Sequence, residues 1–151
     1  MPCPLPAAIL LSLLSMLVAA TSARSEESTR KPDRSQWNMD LPYVEFQHRR
    51  HDRHRLNLVV PPHAAGDKLP LVIWIHGGAF WSGSKDDWHP ARALYDKGFA
   101  VSSINYRLSN SAPAPAQVQD CKAAIRWIRK NAERFDIDPD RIGVWGSSAG
   151  G

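Results

Sequence analysis

Cysteine is scarce in this sequence, which has two, Cys3 and Cys121, among 151 residues. Cys3 lies in an N-terminal stretch that we expect to be removed, so Cys121 would remain alone. A lone cysteine forms no disulfide within these residues, and a scaffold held together by disulfide bonds is not indicated. We expect Cys121 to serve as a small core side chain instead.

Signals for cofactors and nucleic acid are also missing. The sequence has no metal-ligand spacing, no phosphate-cradling glycine loop and no dinucleotide fingerprint. The net charge is +4, and the basic run at residues 48–55 lacks the interleaved aromatic residues of a stacking surface. We therefore expect no metal, no cofactor and no nucleic-acid partner. The run is interpreted as a solvated hairpin, with an anionic polysaccharide or cell-surface partner as the alternative.

Charged side chains are absent from residues 1–23, and residues 7–20 form an apolar run rich in leucine. This run is too short to span a bilayer comfortably. Small residues at Thr21 and Ala23, or at Val18 and Ala20, offer cleavage sites. We therefore predict a signal peptide over residues 1–23 and a secreted or periplasmic protein without stable membrane insertion. Because the usual positive n-region is missing, an uncleaved anchor is the alternative.

The remaining chain is predicted to consist of a flexible segment over residues 24–41 and an α/β domain over residues 42–151. The first segment is polar, contains Pro32 and lacks periodicity. Short β patterns at 43–47 and 55–60 then predict an antiparallel hairpin on either side of the basic run.

Strand and helix patterns alternate after the hairpin. The predicted elements are a buried strand over 69–75, a helix over 88–96, a strand over 99–106, an amphipathic helix over 116–135 and a strand over 142–145. Strand, helix and strand in this order make a right-handed crossover, which predicts a parallel sheet core. Ligands bind at the carboxyl ends of the strands in such sheets.

The last predicted strand leads into Gly146-Ser-Ser-Ala-Gly150, which has the pattern G-x-S-x-G. In a nucleophile elbow, small residues flank the serine at two positions because the backbone folds tightly against itself. Ser148 is the serine so presented, and the Ala149 N–H would point from the start of a helix toward an oxyanion. Taken alone, the motif fits a flexible turn equally well.

A second motif stands about seventy residues upstream, at the end of the predicted buried strand. His76-Gly-Gly-Ala79 places two adjacent glycines where the loop backbone can turn its N–H groups outward as oxyanion donors. An isolated copy would be a strand-ending turn. With the elbow and a crossover unit between them, the two motifs together predict a site for acyl transfer.

Four stretches resemble, in order and spacing, the α/β-hydrolase superfamily, in particular secreted esterases and lipases of the hormone-sensitive-lipase and carboxylesterase type. They are residues 69–80, 105–108, 120–127 and 143–151. The resemblance covers about the first half of the family domain. It implies the N-terminal half of a mostly parallel, doubly wound sheet with an N-terminal antiparallel hairpin, truncated after the elbow.

The resemblance implies Ser148 as the nucleophile and the N–H groups of Gly78, Ala79 and Ala149 as the oxyanion hole. Ala79 replaces a family glycine; its N–H remains, although a positive φ is less comfortable for alanine. In the family the acid and the histidine follow the serine in chain order. Both would lie beyond Gly151, so residues 1–151 alone are expected to be nearly inactive.

Other residues receive structural interpretations. The resemblance implies that His76 holds the loop. Phe80 and Trp81 are candidates for the acyl or alcohol pocket, with ordinary packing as an equal alternative. Asp120 and Arg107 are expected to form a buried pair that ties the helix to a strand end.

These observations predict a carboxylic ester hydrolase that acts through an acyl-enzyme on small-molecule or carbohydrate-linked esters, with short acyl or feruloyl groups on plant polysaccharides as substrates by analogy. One alternative is a serine peptidase of the same fold, which aminoacyl-anilides would reveal. Another is a non-catalytic binding module, which would not react with a fluorophosphonate.

Overall fold

Five strands form one mixed sheet in the computed structural model, which describes residues 35–44 and 53–151. They are β1 (Gln36–Pro42), β2 (Arg55–Val60), β3 (Leu69–Ile75), β4 (Ala100–Ile104) and β5 (Ile137–Gly146), in the order β1-β2-β4-β3-β5. β3 runs parallel to β4 and β5, whereas β2 is antiparallel to β1 and β4. The predicted parallel core and N-terminal antiparallel hairpin are therefore confirmed. The predicted signal peptide lies outside the described residues.

Helices cover both faces of the sheet. A 3₁₀ turn at His89–Ala91 leads into the short helix α1 (Arg92–Tyr95), and the main helix α2 (Ala116–Asn131) continues as a 3₁₀ turn over Ala132–Phe135. A last 3₁₀ turn at Ser148–Gly150 follows β5. Across residues 35–44 and 53–151, no helix has the length and apolar character needed to cross a membrane.

The larger core cluster lies on the face of the sheet that carries α2. It includes Leu58, Ile73 and Ile104 from three neighbouring strands and Ile128 from the helix, all buried. Burial of each such side chain contributes about 1.5–3 kcal/mol. Cys121 packs against this cluster, as its position on the apolar helix face predicted.

A smaller cluster lies on the opposite face, where α1 packs. Val59, Trp74 and Val101 point to this side, and Leu94 and Tyr95 of α1 contact them. Adjacent positions of the same strands thus serve different clusters, because successive side chains of a strand alternate between the two faces of a sheet.

The first strand of the hairpin lies earlier than the sequence predicted. Residues 43–47 were expected to form it and residues 24–41 to be flexible, yet Gln36–Pro42 is a strand paired with β2. The parts of these predictions at residues 24–34 and 45–47 lie outside the described residues. The register of this pair is interrupted between Asn38 and Leu41, and Asp40 has a φ of 60°. Trp37, Met39 and Leu41 do alternate with polar residues, but this short pattern lies in a polar stretch that contains Pro32, and it was not recognised as a strand.

The last strand is longer than predicted. The strand was predicted over residues 142–145, but β5 begins at Ile137, which is buried and pairs with Leu69. The register shifts between Leu69 and Leu71, so the Pro139 region bulges out of an otherwise regular pair. Burial of Ile137 outweighs the local turn preference of the neighbouring aspartates and proline.

Candidate active site

Ser148 stands on a strained turn at the carboxyl end of β5. The strand ends at Gly146, the Ser147 N–H donates to the Ile75 carbonyl oxygen at 3.3 Å, and Ser148 has a φ of 53°. Positive φ is uncommon for residues other than glycine, because the side chain then crowds the backbone. The Ser148 side chain is exposed, so the fold holds a strained serine at the surface of the sheet edge where ligands bind.

The two glycines of G-x-S-x-G are required by close backbone contacts. A Cβ on Gly146 would overlap the carbonyl oxygen of Gly150, and a Cβ on Gly150 would overlap that of Ile75. The turn can therefore form only if both positions lack a side chain. This packing favours the elbow over the flexible turn that the sequence left open.

The loop after β3, residues 76–83, has an unusual backbone. Gly78, Ala79 and Phe80 have φ values of 109°, 52° and 65°. The N–H groups of Trp81 and Ser82 both donate to the Gly78 carbonyl oxygen, at 2.9 and 3.0 Å. Ala79 therefore does adopt the positive φ that is less comfortable for alanine.

The loop and the elbow lie side by side, because β3 and β5 are parallel neighbours. A Cβ on Gly77 would be 2.8 Å from the Ser147 carbonyl oxygen and 3.3 Å from the Ser148 Cβ. Among the backbone hydrogen bonds of residues 35–44 and 53–151, none uses the N–H groups of Gly78, Ala79 or Ala149 as donors. The fold thus collects uncommitted N–H donors beside a strained serine, as an oxyanion hole needs.

His76 is buried at the start of this loop and has defined partners. Its Nδ1 lies 2.7 Å from the Gly77 carbonyl oxygen, and its Nε2 lies 3.3 Å from an Arg53 guanidinium nitrogen. Its ring stacks on Tyr106 with the centroids 4.4 Å apart. Burial lowers the pKa of His76, and the nearby Arg53 charge acts in the same direction. This is a neutral, loop-holding histidine.

Asp120 and Arg107 form the predicted pair between α2 and the end of β4. The guanidinium donates to both carboxylate oxygens, with distances of 2.9 and 2.7 Å, and the Arg107 backbone N–H adds a bond of 2.9 Å. His54 Nε2 lies 3.2 Å from the same carboxylate. Although burial opposes it, hydrogen bonding by Arg107 holds the pKa of Asp120 below its usual range. The pair is structural, as predicted.

A cavity of about 200 Å³ lies beside the loop and the elbow. Its lining is Ile75, Phe80, Tyr106, Gln117, Val118, Cys121, Ala149, Gly150 and Gly151. Phe80 is therefore placed to contact an apolar group near the elbow. Trp81 is not part of this lining and is 66% exposed.

The part of the chain that the structure describes supplies no base that is hydrogen-bonded to Ser148. His54 contacts Asp120, His63 lies 3.3 Å from an Asp136 carboxylate oxygen, and His76 is engaged as described above. Sequence reasoning missed the contacts of Arg53 and Tyr106 with His76. Nothing in the basic run distinguishes Arg53 from its neighbours, so no local signal could have found it.

A mostly parallel sheet with helices on both faces, a strained serine after a strand and a glycine loop beside it defines part of an α/β-hydrolase fold. The BD-FAE family model matches residues 56–151, and the chain belongs to this family. The resemblance to the superfamily noted from the sequence is thereby confirmed.

Individual relatives agree with this family. Carboxylesterase NlhH of Mycobacterium tuberculosis is 40% identical over 92 residues, covering 60% of this chain and 29% of the relative. A structure described as a bifunctional GH43-CE protein of Bacteroides eggerthii is 36% identical with a TM-score of 0.68, covering 76% of this chain and 16% of that one. A truncated carbohydrate esterase from gut microbiota is 32% identical with a TM-score of 0.62, covering 80% and 43%. The chain thus spans less than half the length of each of these three proteins.

Proposed function

We propose that the full-length protein is a serine hydrolase that cleaves carboxylic esters through an acyl-enzyme. The observation that carries this proposal is the placement of Ser148, at a φ of 53°, against the loop that contains Gly78 and Ala79. The relatives named carboxylesterase and carbohydrate esterase support the same reaction class. Neither observation favours the peptidase of the same fold that the sequence left open.

In the proposed mechanism, the Ser148 Oγ attacks the ester carbonyl carbon while a histidine takes the hydroxyl proton. The carbonyl oxygen gains the negative charge and accepts hydrogen bonds from the N–H groups of Gly78, Ala79 and Ala149. Collapse of this intermediate breaks the ester C–O bond, and the alcohol leaves with the proton held by the histidine. Water then attacks the acyl-enzyme in the same way and releases the acid. We place the histidine and its acid partner beyond Gly151.

The proposed substrates are small-molecule or carbohydrate-linked esters with short acyl or feruloyl groups. Phe80 and the apolar cavity beside the elbow would contact one side of the ester, and the exposed Trp81 could contact the other. The names of the two structural relatives, which include a carbohydrate esterase, support the carbohydrate class. The proposed location is the periplasm or the extracellular space, based on the signal peptide predicted over residues 1–23.

The experiment is hydrolysis of p-nitrophenyl acetate by the full-length protein and two serine variants. Ser148→Ala should lower kcat by a factor of at least about 10³, because removing the nucleophile leaves only binding and oxyanion stabilisation. Ser147→Ala is the matched control, since this side chain is also exposed, and its kcat should stay within about threefold. Activity that survives in Ser148→Ala would contradict the mechanism, and preferential cleavage of aminoacyl-anilides would indicate the peptidase.

A further inference from the structure

One half-buried side chain, that of Arg53, connects both ends of the loop formed by residues 76–83. Arg53 precedes β2 in the hairpin, and its Nη2 donates to the Gly83 carbonyl oxygen at 2.8 Å while lying 3.3 Å from His76 Nε2. Its Nε donates to the Tyr106 carbonyl oxygen at 3.1 Å. A single guanidinium group therefore contacts the start of the loop, the end of the loop and Tyr106, which lies two residues after β4.

These contacts define the tautomer of His76. A guanidinium group has donors and no acceptor, so His76 Nε2 must accept the hydrogen bond from Arg53. The proton of the neutral ring is then on Nδ1, which donates to the Gly77 carbonyl oxygen at 2.7 Å. With the proton on Nε2 instead, the lone pairs of His76 Nδ1 and of the Gly77 carbonyl oxygen would face each other.

The orientation of the Gly77 carbonyl group determines that of a proposed oxyanion donor. A trans peptide group is planar, and its C=O and N–H bonds point in opposite directions. The Gly77 carbonyl oxygen and the Gly78 N–H belong to the same peptide group. When the His76 ring draws the oxygen inward, the Gly78 N–H is turned away from the ring, and that N–H has no protein acceptor within the described residues.

We propose that Arg53 is a positioning residue for ester hydrolysis, acting by holding His76 in the Nδ1–H tautomer and by fixing Gly83, so that the Gly77–Gly78 peptide group presents its N–H to the oxyanion. This inference rests on the proposed function. The packing around the ring supports it, because the Tyr106 hydroxyl donates to the His76 carbonyl oxygen at 2.9 Å and a Cβ on Gly83 would overlap His76 Nδ1.

Charged and aromatic side chains from three parts of the chain face the His76 ring. They are Arg53 from the hairpin, Asp87 from the loop after β3 and Tyr106 after β4. Without Arg53, the neutral ring is free to place its proton on Nε2, which releases the Gly77 carbonyl oxygen.

The test uses the full-length protein with Arg53→Met, Arg53→Lys and the control Arg55→Met. Arg53→Met should lower kcat about 10- to 100-fold with KM changed less than threefold, since losing one oxyanion donor lowers kcat about 10²- to 10³-fold and the donor is here misoriented only part of the time. Arg55→Met removes an equal charge from β2 and should leave kcat unchanged.

Nitrogen-15 NMR of the histidine rings gives a second readout that an unspecific loss of packing would not change in this way. Wild type should show His76 with Nδ1 protonated and Nε2 unprotonated, and Arg53→Met should show both tautomers. A wild-type ring protonated on Nε2, or a lower kcat in Arg53→Met with the tautomer unchanged, would overturn the inference.

Two further outcomes are decisive. If Arg53→Met does not fold, Arg53→Lys replaces it. The lysine side chain is one bond shorter, so its ammonium group falls short of the Nη2 position that contacts both His76 and Gly83. We therefore expect kcat to fall about three- to tenfold, and a wild-type kcat would overturn the inference. Inactive wild-type protein, or full activity in Ser148→Ala, would instead contradict the proposed function. The role of Arg53 would then be decided by the NMR measurement of the His76 tautomer.

Discussion

Replacement of Gly83 by alanine tests the loop geometry most severely. Gly83 has a φ of 98°, and a Cβ there would overlap His76 Nδ1 and lie 2.5 Å from the Gly77 carbonyl oxygen. Gly98 has a φ of 87° with nothing within 4 Å of its Cβ position. The same substitution at both sites therefore imposes a similar backbone strain and differs in steric overlap.

At Gly98, positive φ costs an alanine about 1–2 kcal/mol, and the lower entropy of the unfolded chain offsets about 0.4–1 kcal/mol. We expect Gly98→Ala to lower the free energy of unfolding by about 1 kcal/mol. At Gly83 the His76 ring must also move. Overpacking costs about 1–3 kcal/mol, and the two hydrogen bonds of the ring cost about 0.5–1.5 kcal/mol each. Together with the backbone strain, we expect Gly83→Ala to lower the free energy of unfolding by about 5 kcal/mol.

Urea unfolding followed by tryptophan fluorescence measures both values, with Gly66→Ala as a second control because Gly66 has a φ of 88° and open space around its Cβ position. If Gly83→Ala and Gly98→Ala destabilise the protein to within 1 kcal/mol of each other, the packing described for His76 and its loop is wrong.

Three further predictions concern buried titratable groups. Asp120→Asn should lower the free energy of unfolding, measured by urea unfolding, by about 3 kcal/mol, because it leaves Arg107 without its buried charge partner. As a control, Arg141→Met at an exposed ion pair should change this free energy by less than about 1 kcal/mol. Burial raises the pKa of the Cys121 thiol to about 11, so about one thiol in 10³ is ionised at pH 8. Labelling of Cys121 by dithionitrobenzoate, located by mass spectrometry, should therefore be over 100-fold slower than labelling of free cysteine. Since burial lowers the pKa of His76, the unfolded state gains a proton below about pH 6.5 that the folded state does not, and stability should decrease from pH 7.5 to pH 5.5. That part of the decrease should be absent from His76→Gln, and an equal slope in both proteins would refute the assignment.

The sequence was sufficient to predict the parallel core, because its strands and main helix carry strong periodic patterns of apolar residues. It also predicted the elbow, since close backbone contacts at Gly146 and Gly150 leave a direct trace in the residue types. β1 was misplaced because its short alternation of Trp37, Met39 and Leu41 with polar residues lies in a polar stretch with Pro32, which favoured a flexible segment. The contribution of Arg53 could not be predicted, because its contacts with His76 and Gly83 join residues far apart in the chain.

The same contrast applies to the candidate site. Motifs of adjacent residues identify Ser148 and the glycine loop, since each requires small residues at fixed positions. The distance between these two motifs in space depends on the pairing of β3 with β5, which no short pattern encodes. In the sequence, Tyr106 stands out only as part of the stretch 105–108, and its stacking on His76 depends on the parallel pairing of β3 with β4.

Covalent labelling tests most directly whether Ser148 is an activated nucleophile. Full-length protein would be treated with a fluorophosphonate, digested and mapped by mass spectrometry. We predict a single phosphonate adduct on the peptide that contains residues 142–151, assigned by fragmentation to Ser148, and its absence from Ser148→Ala. An unlabelled protein, or an adduct on Ser147, would contradict the account.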